Sequence, residues 1–455
     1  MYSNWFVPIR GIAVVRAALR ASLAGAFMLA NLTHAGESPL TLSEAQRIAV
    51  ERSRQLTAQD ASIIAAREMA AAAGQLPDPT LKFGLDALPV TSAPGVQAFS
   101  TTQDSFTTRR IGVMQEFTRG EKRKLRTERG ERDAGRAAAE KTVTLANIQR
   151  DTALAWLDRY YLEHVRAEVA TQAQETNLEI EAAEGAYRAG RGSQADIFAA
   201  RASRVALDDR LSELNRRIFN ARAMLARWVG DAADAPLAGE PTIDSVPLRG
   251  HALESELEQH PMIALLKRQV EVAETDVQLA KANKRPDWSV EVAYGVRGPA
   301  YANLFSVGVS LPLQWDQRNR QDRELAAKVA MAEQAKAREE DALRAHVAEV
   351  RIMLNEWENG RERLGRYTRE LIPLARDRTQ AALAAYRGGK SELAAVLAAR
   401  RNEIDVRTQT VQIEMDTARV WAQLNFLYPA GASPAHTNAD TTMRPAVSIN
   451  PMEPK

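Results

Sequence analysis

The chain has 455 residues, with 60 Lys and Arg against 58 Asp and Glu, a net charge of +2, and no cysteine. The cysteine count excludes disulfides, thiolate metal sites, cysteine nucleophiles and lipid attachment through an N-terminal cysteine. Aromatics make up only 6% while charged residues reach 26%, a composition suited to long helices packed in thin layers.

Residues 1–35 read as a secretory signal. Arg10, Arg16 and Arg20 form a basic start, Ala21 to Leu32 is apolar, and Thr33-His34-Ala35 offers a small residue for cleavage. The apolar core is about 12 residues, short for a membrane anchor. Without this segment the balance is 57 basic to 58 acidic residues, net −1. So even a balance carries no electrostatic footprint for nucleic acid. No other segment approaches 18 uninterrupted apolar residues, so the expected destinations are the periplasm, the exterior, or an outer-membrane β-barrel.

Thr41-Leu42-Ser43-Glu44 has capping-box form and predicts a helix to about Gly74. Period-2 patterning then appears at Leu81, Phe83, Leu85 and Ala87, and again at Ile111, Val113 and Phe117, interrupted by adjacent Arg109 and Arg110. No proline stands between Pro94 and Pro236, which leaves room for long helices. Leu154, Leu157, Tyr161 and Val165 keep helical spacing before a glycine break, and Leu207, Leu211, Leu214, Ile218 and Leu225 resume it afterwards. A helix from about Gly120 to Tyr187 would be roughly 100 Å long at ~1.5 Å per residue.

Residues 231–250 form a Pro/Gly/Asp-rich connection, after which the plan repeats. A helix is expected from about His251 to Lys284, followed by two alternating strands. Trp288, Val290, Val292, Tyr294 and Val296 alternate with small or polar residues, as do Phe305, Val307, Val309, Leu311 and Leu313. Between Pro312 and Pro429 the only proline is Pro373, expected to kink a second rod. Val347, Val350, Leu354, Trp357, Leu364, Tyr367 and Leu371, then Leu397, Ile404, Val411 and Ala418, give its two arms. The chain thus divides into 1–35, a first helix-hairpin-rod repeat over 36–230, the connection 231–250, a second repeat over 251–428, and a tail over 429–455. "YRAGRGSQADIF" and "YRGGKSELAAV" are counterparts 199 residues apart.

Four strands of about ten residues suit an outer membrane but cannot close a barrel, so several copies are required. The alternative is a sandwich edge in a soluble periplasmic protein. At this point the chain resembles the TolC-like family of outer-membrane efflux channels from Leu40 to Tyr428. The carriers are "LTLSEAQRIAVERS", "LPDPTLKFG", "IGVMQEFTRGEKRKLR", "FSVGVSLPLQWDQRNR" and both Tyr-Arg-x-Gly turns. Gly-Glu-Lys-Arg-Lys at 120–124 is similar to a segment of the CzcC-like cation-efflux branch. Where many relatives carry proline in the first hairpin, this chain has Glu116.

The resemblance implies a mainly α protomer with four strands and long coiled-coil helices, in a homotrimer with a 12-stranded barrel in outer-membrane lipid and an α-helical periplasmic tunnel. It implies docking on a periplasmic adaptor and an inner-membrane resistance-nodulation-division pump, and passage of heavy-metal cations without chemistry. Multidrug efflux or type I secretion is the nearest alternative, and a soluble periplasmic coiled-coil scaffold or adaptor is the more distant one. Neither a catalytic residue, a cofactor site nor a metal site is expected. His34, His164, His251, His260, His346 and His436 show no ligand-spaced pair, and Gly190-Arg191-Gly192 lacks the rest of a phosphate-binding pattern. The turns Gly190, Arg191, Gly192, Ser193 and Gly388, Gly389, Lys390, Ser391 are the expected adaptor contacts. The family places carboxylates of an Asp-Val-Leu-like segment near the periplasmic constriction. The counterpart here is Asp196-Ile197-Phe198 in the first copy, with Ala395 replacing the acid in the second.

Overall fold

A computed structural model describes residues 39–190, 192–248 and 253–430. The signal segment, residues 431–455, Arg191, His251 and His436 lie outside the described residues. The first repeat comprises helices α1 (Leu42–Arg52) and α2 (Arg54–Ala73), strands β1 (Thr80–Asp86) and β2 (Thr108–Phe117), then helices α3 (Gly120–Arg188) and α4 (Gln194–Val229). The second comprises α5 (Leu253–Leu257), α6 (Pro261–Asn283), β3 (Trp288–Val296), β4 (Leu304–Ser310), α7 (Gln321–Arg366), α8 (Ile372–Arg387) and α9 (Leu393–Asn425).

Both opening helices are split where one was expected. Ser53 leaves the helical conformation at ψ 111° and accepts the Leu56 N–H on its hydroxyl, so α2 starts afresh with its own cap. In the second repeat Pro261 occupies the first turn of α6, where its missing N–H costs nothing, and the His260 ring caps the end. The β strands are also shorter than their patterns. Ala87 turns to φ +55° and ends β1, and β4 stops at Ser310, ahead of Pro312.

The 69 residues of α3 form a rod of about 100 Å. Its counterpart runs through α7 and α8, joined by a π turn over Tyr367–Leu371 in which the Ile372 N–H bonds the Tyr367 carbonyl five residues back. The helix widens immediately before Pro373, which absorbs the ring and the missing donor that were expected to kink it.

Near the sheet, α2, α3, α6 and α7 lie side by side, each packed on the next. Farther out, α3 pairs with α4, α8 with α9, and α3 with α9. Between these zones sits the main core, built on Trp156, Leu157, Tyr161, Leu225, Val350, Trp357, Trp421 and Leu424. Two indoles wrap the connection between repeats onto this waist, and a third holds Leu40 beside it. Trp156 Nε1 donates to Leu40 O at 3.0 Å, Trp357 Nε1 to Ile243 O at 2.9 Å, and Trp421 Nε1 to Ser245 O at 2.9 Å. Leu40 also bridges to Leu237, through Leu40 N to Pro236 O at 2.8 Å. A stretch that reads as a loop is therefore a strap, its polar backbone satisfied by rings whose bodies fill the core.

Candidate functional site, a membrane-length sheet and two helical tips

The four strands form one antiparallel sheet in the order β1-β2-β3-β4. Cross-strand partners share a face, and the register puts the apolar set of every strand on one side. Leu81, Val113, Val292 and Val307 form one row, and Phe83, Ile111, Tyr294 and Phe305 the next. These residues have no cover within the protomer: Phe83 is 73% and Phe305 71% exposed. Phe117 stacks on Trp288 with ring centroids 4.6 Å apart at the end nearest the rods, six residues or ~20 Å along β3 from Tyr294. An apolar band between two aromatic rows is the outer surface of a membrane barrel. Both edges, β1 and β4, lack a strand partner among the described residues.

The opposite face is small and polar, with Gly84, Gly112, Ala293, Gly295, Ser306 and Gly308. Adjacent Arg109 and Arg110, which blur the strand signal, fall on different faces. Arg109 stands beside Val296 on the apolar side, at the band's far end, and Arg110 stands opposite Gly295 on the polar side.

Where strand becomes rod, Lys122 of the 120–124 segment is buried and its Nζ lies 2.8 Å from Asp287 Oδ2. The other oxygen of Asp287 accepts the Arg119 N–H at 2.9 Å. The neighbouring charged run is partly an inter-helix seam. Arg129 pairs with Asp276 at 3.0 Å and Arg132 with Glu271 at 2.9 Å, both on α6.

At the far end, Gly190 and Gly389 occupy equivalent places 199 residues apart and both have φ +69°, the left-handed conformation that closes a helix. The helices that follow start differently. Ser193 caps α4 by accepting the Asp196 N–H at 3.2 Å, and Asp196 Oδ2 accepts the Ser193 N–H at 2.9 Å and its hydroxyl at 2.8 Å. Glu392 caps α9 with no side-chain bond: it stands where Ser193 supplies the capping hydroxyl in the first copy, and Ala395, in place of Asp196, has no carboxylate to return the bond. Asp196 thus has a structural task that the family pattern does not suggest. Gly192 and Ser193 lie in the first turn; Gly388, Lys390 and Ser391 lie in the second, with Lys390 N bonded to Ala385 O at 2.8 Å. Ala183 and Ala200 of the first hairpin and Leu393, Val396 and Leu397 of the second share one small core, so the two tips are joined.

Above them Arg400 of α9 contacts Glu175 at 2.8 Å and Glu179 at 3.2 Å, both on α3. Burial raises the Glu179 carboxyl above its ordinary pKa, and Arg400 opposes the shift.

The structure also joins two histidines that sequence spacing separates. His260 and His346 meet with ring centroids 4.2 Å apart and their planes tilted by 45°, and His346 Nδ1 lies 3.3 Å from Glu349 Oε2. Burial and the neighbouring His346 push His260 down to about 3. Among the described residues no trio of His, Asp or Glu side chains is arranged to hold a metal ion, and no helix is long and apolar enough to cross a membrane.

Residues 252–428 match the family model described as outer membrane efflux protein. The cobalt-zinc-cadmium resistance protein CzcC of Cupriavidus metallidurans is 24% identical over 292 residues, 61% of this chain and 69% of that protein. The outer membrane protein VceC of Vibrio cholerae superposes with a TM-score of 0.68 at 19% identity, over 85% of this chain and 95% of that one. CusC, described in terms of folding and transmembrane channel formation, gives a TM-score of 0.70 at 13% identity, over 85% of this chain and 92% of that one.

Proposed function

Starting from a chain that has the TolC-like fold and whose second repeat matches the family model described as outer membrane efflux protein, we propose that it is the outer-membrane channel of a tripartite efflux system. Three copies close a 12-stranded barrel over a 12-helix wall, with the helical tunnel in the periplasm. The observation that carries this reading is the sheet: a membrane-length apolar band with two unpaired edges, continuing directly into ~100 Å rods. Unpaired edges in lipid cost several kcal/mol per backbone group, so neighbouring copies must cover them.

The turns at 190–193 and 388–391 meet the helical hairpins of a periplasmic adaptor, which couples the tunnel to an inner-membrane resistance-nodulation-division pump. Heavy-metal cations are the proposed substrate, on the strength of the CzcC relative. The tunnel conducts what the pump delivers, so metal selection need not reside in this chain.

The test is complementation in a host lacking this channel but keeping its pump and adaptor, with growth scored against cobalt, zinc and cadmium and against hydrophobic drugs. Restored tolerance to the metals alone is expected. Restored tolerance to drugs alone would make it a multidrug channel, and failure to recover heat-modifiable trimers from outer membranes would favour the soluble scaffold instead.

A further inference from the structure

The polar face of the sheet carries a charge cluster with no role in the fold so far described. Glu291 of β3 receives two cations, one per oxygen: Lys82 Nζ of β1 lies 2.6 Å from Oε2, and Arg110 Nη2 of β2 lies 2.5 Å from Oε1. Arg110 Nη1 lies 3.7 Å from Asp86 Oδ2. The cluster spans three strands and both repeats, and the small residues around it leave its charges open to the lumen. Lys82 and Arg110 remain 43% and 37% exposed at the side chain, and Glu291 21%. Its four charges cancel. The remaining inward acid, Glu116, is six residues or ~20 Å along β2 from Arg110, beyond the ~8 Å screening length of physiological salt.

We propose that Glu291 is a specificity-determining residue of the channel, keeping the barrel lumen open to cations by cancelling a ring of fixed positive charge. This rests on the channel reading above. Without the Glu291 carboxylate, each protomer would present Lys82 and Arg110 against Asp86 alone, leaving one uncompensated positive charge per protomer and three around the trimer. Three unit charges about 10 Å from the axis of a water-filled lumen at physiological salt change each ion's local concentration by about two-fold, and the cation-to-anion ratio by about four-fold. Removing Arg110 instead leaves one negative charge per protomer and moves the ratio the other way by a similar factor.

The test is reversal potential across planar bilayers under a KCl gradient, with trimers of the full chain. Glu291→Gln should lower the potassium-to-chloride permeability ratio about four-fold relative to wild type, and Arg110→Gln should raise it by about the same factor. Wild-type channels that conduct, with an unchanged ratio in both variants, would overturn the proposal and leave the channel reading standing. Wild-type trimers that never conduct would overturn both. If Glu291→Gln fails to assemble, Lys82→Gln provides a second variant with the Arg110 sign, and an unchanged ratio in both cation variants is equally decisive.

Discussion

Two glycines five residues apart on α3 predict opposite outcomes for the same substitution. A Cβ on Gly135 would meet only Arg268 Cδ, at 4.0 Å. A Cβ on Gly130 would sit 2.6 Å from both Cα and Cβ of Ala70, on α2, and 3.2 Å from its backbone nitrogen. Alanine in a helix interior gains about 0.5–1 kcal/mol over glycine, and Gly135→Ala should show that gain. At Gly130 the same gain meets an overlap of about 1 Å against carbon contacts that rest near 3.5–4.0 Å. The atoms in the way are backbone and a Cβ, which cannot swing aside, and Ala70 is only 3% exposed. Parting α2 from α3 should cost about 1–3 kcal/mol, so Gly130→Ala should be less stable than Gly135→Ala by roughly that amount. Thermal unfolding in detergent at one fixed scan rate compares them, the fixed rate being needed because large membrane assemblies unfold irreversibly. A Gly130→Ala midpoint at or above that of Gly135→Ala would refute the argument that close approach, not helix propensity, decides this site.

The unequal tips and the paired histidines give two further expectations. Ser193→Ala should cost about 1 kcal/mol of protection at the start of α4, whereas Glu392→Ala should leave α9 unchanged because Glu392 makes no side-chain cap bond. Amide hydrogen exchange distinguishes them, and equal losses at both tips would count against the capping box. His260 has its pKa pushed from 6.5 to about 3, so the unfolded chain takes up this proton first. Its contribution is present above pH 6.5 and lost as pH falls toward 3, at no more than about 1.4 kcal/mol per pH unit. His260→Asn retains a capping side chain and should flatten the fall in denaturation midpoint between pH 6 and 4. An identical slope in the variant would show that His260 does not bind the proton.

The parts of the fold that were legible in the sequence are those specified by local period. Trp288 to Val296 alternates cleanly because each outward residue is apolar and each inward one small or polar, and the 3.6-residue spacing of the rods survives over dozens of residues. Features held by distant partners were hidden. The strap over 231–248 reads as a loop because its hydrogen bonds come from Trp357, Trp421 and the backbone of Leu40, and nothing in its own residues announces them. His260 and His346 are 86 positions apart and meet only once α6 lies against α7. Lys82 and Glu291 read only as polar-face positions and Arg110 as an interruption, and no local spacing brings the three together. Register alone turns the Arg109-Arg110 pair from a blemish into one residue for each face.

The free edges of the sheet also bear on how the protein is made. A lone protomer entering the bilayer would present the backbone of Thr80–Asp86 and Leu304–Ser310 to hydrocarbon, so insertion and oligomer closure must be one event. On the channel reading, no membrane-embedded monomer waits for a partner, and none leaves once the ring has formed. Subunits of the proposed trimer therefore mix only during biogenesis, and a single defective copy drawn into that step condemns its two companions with it.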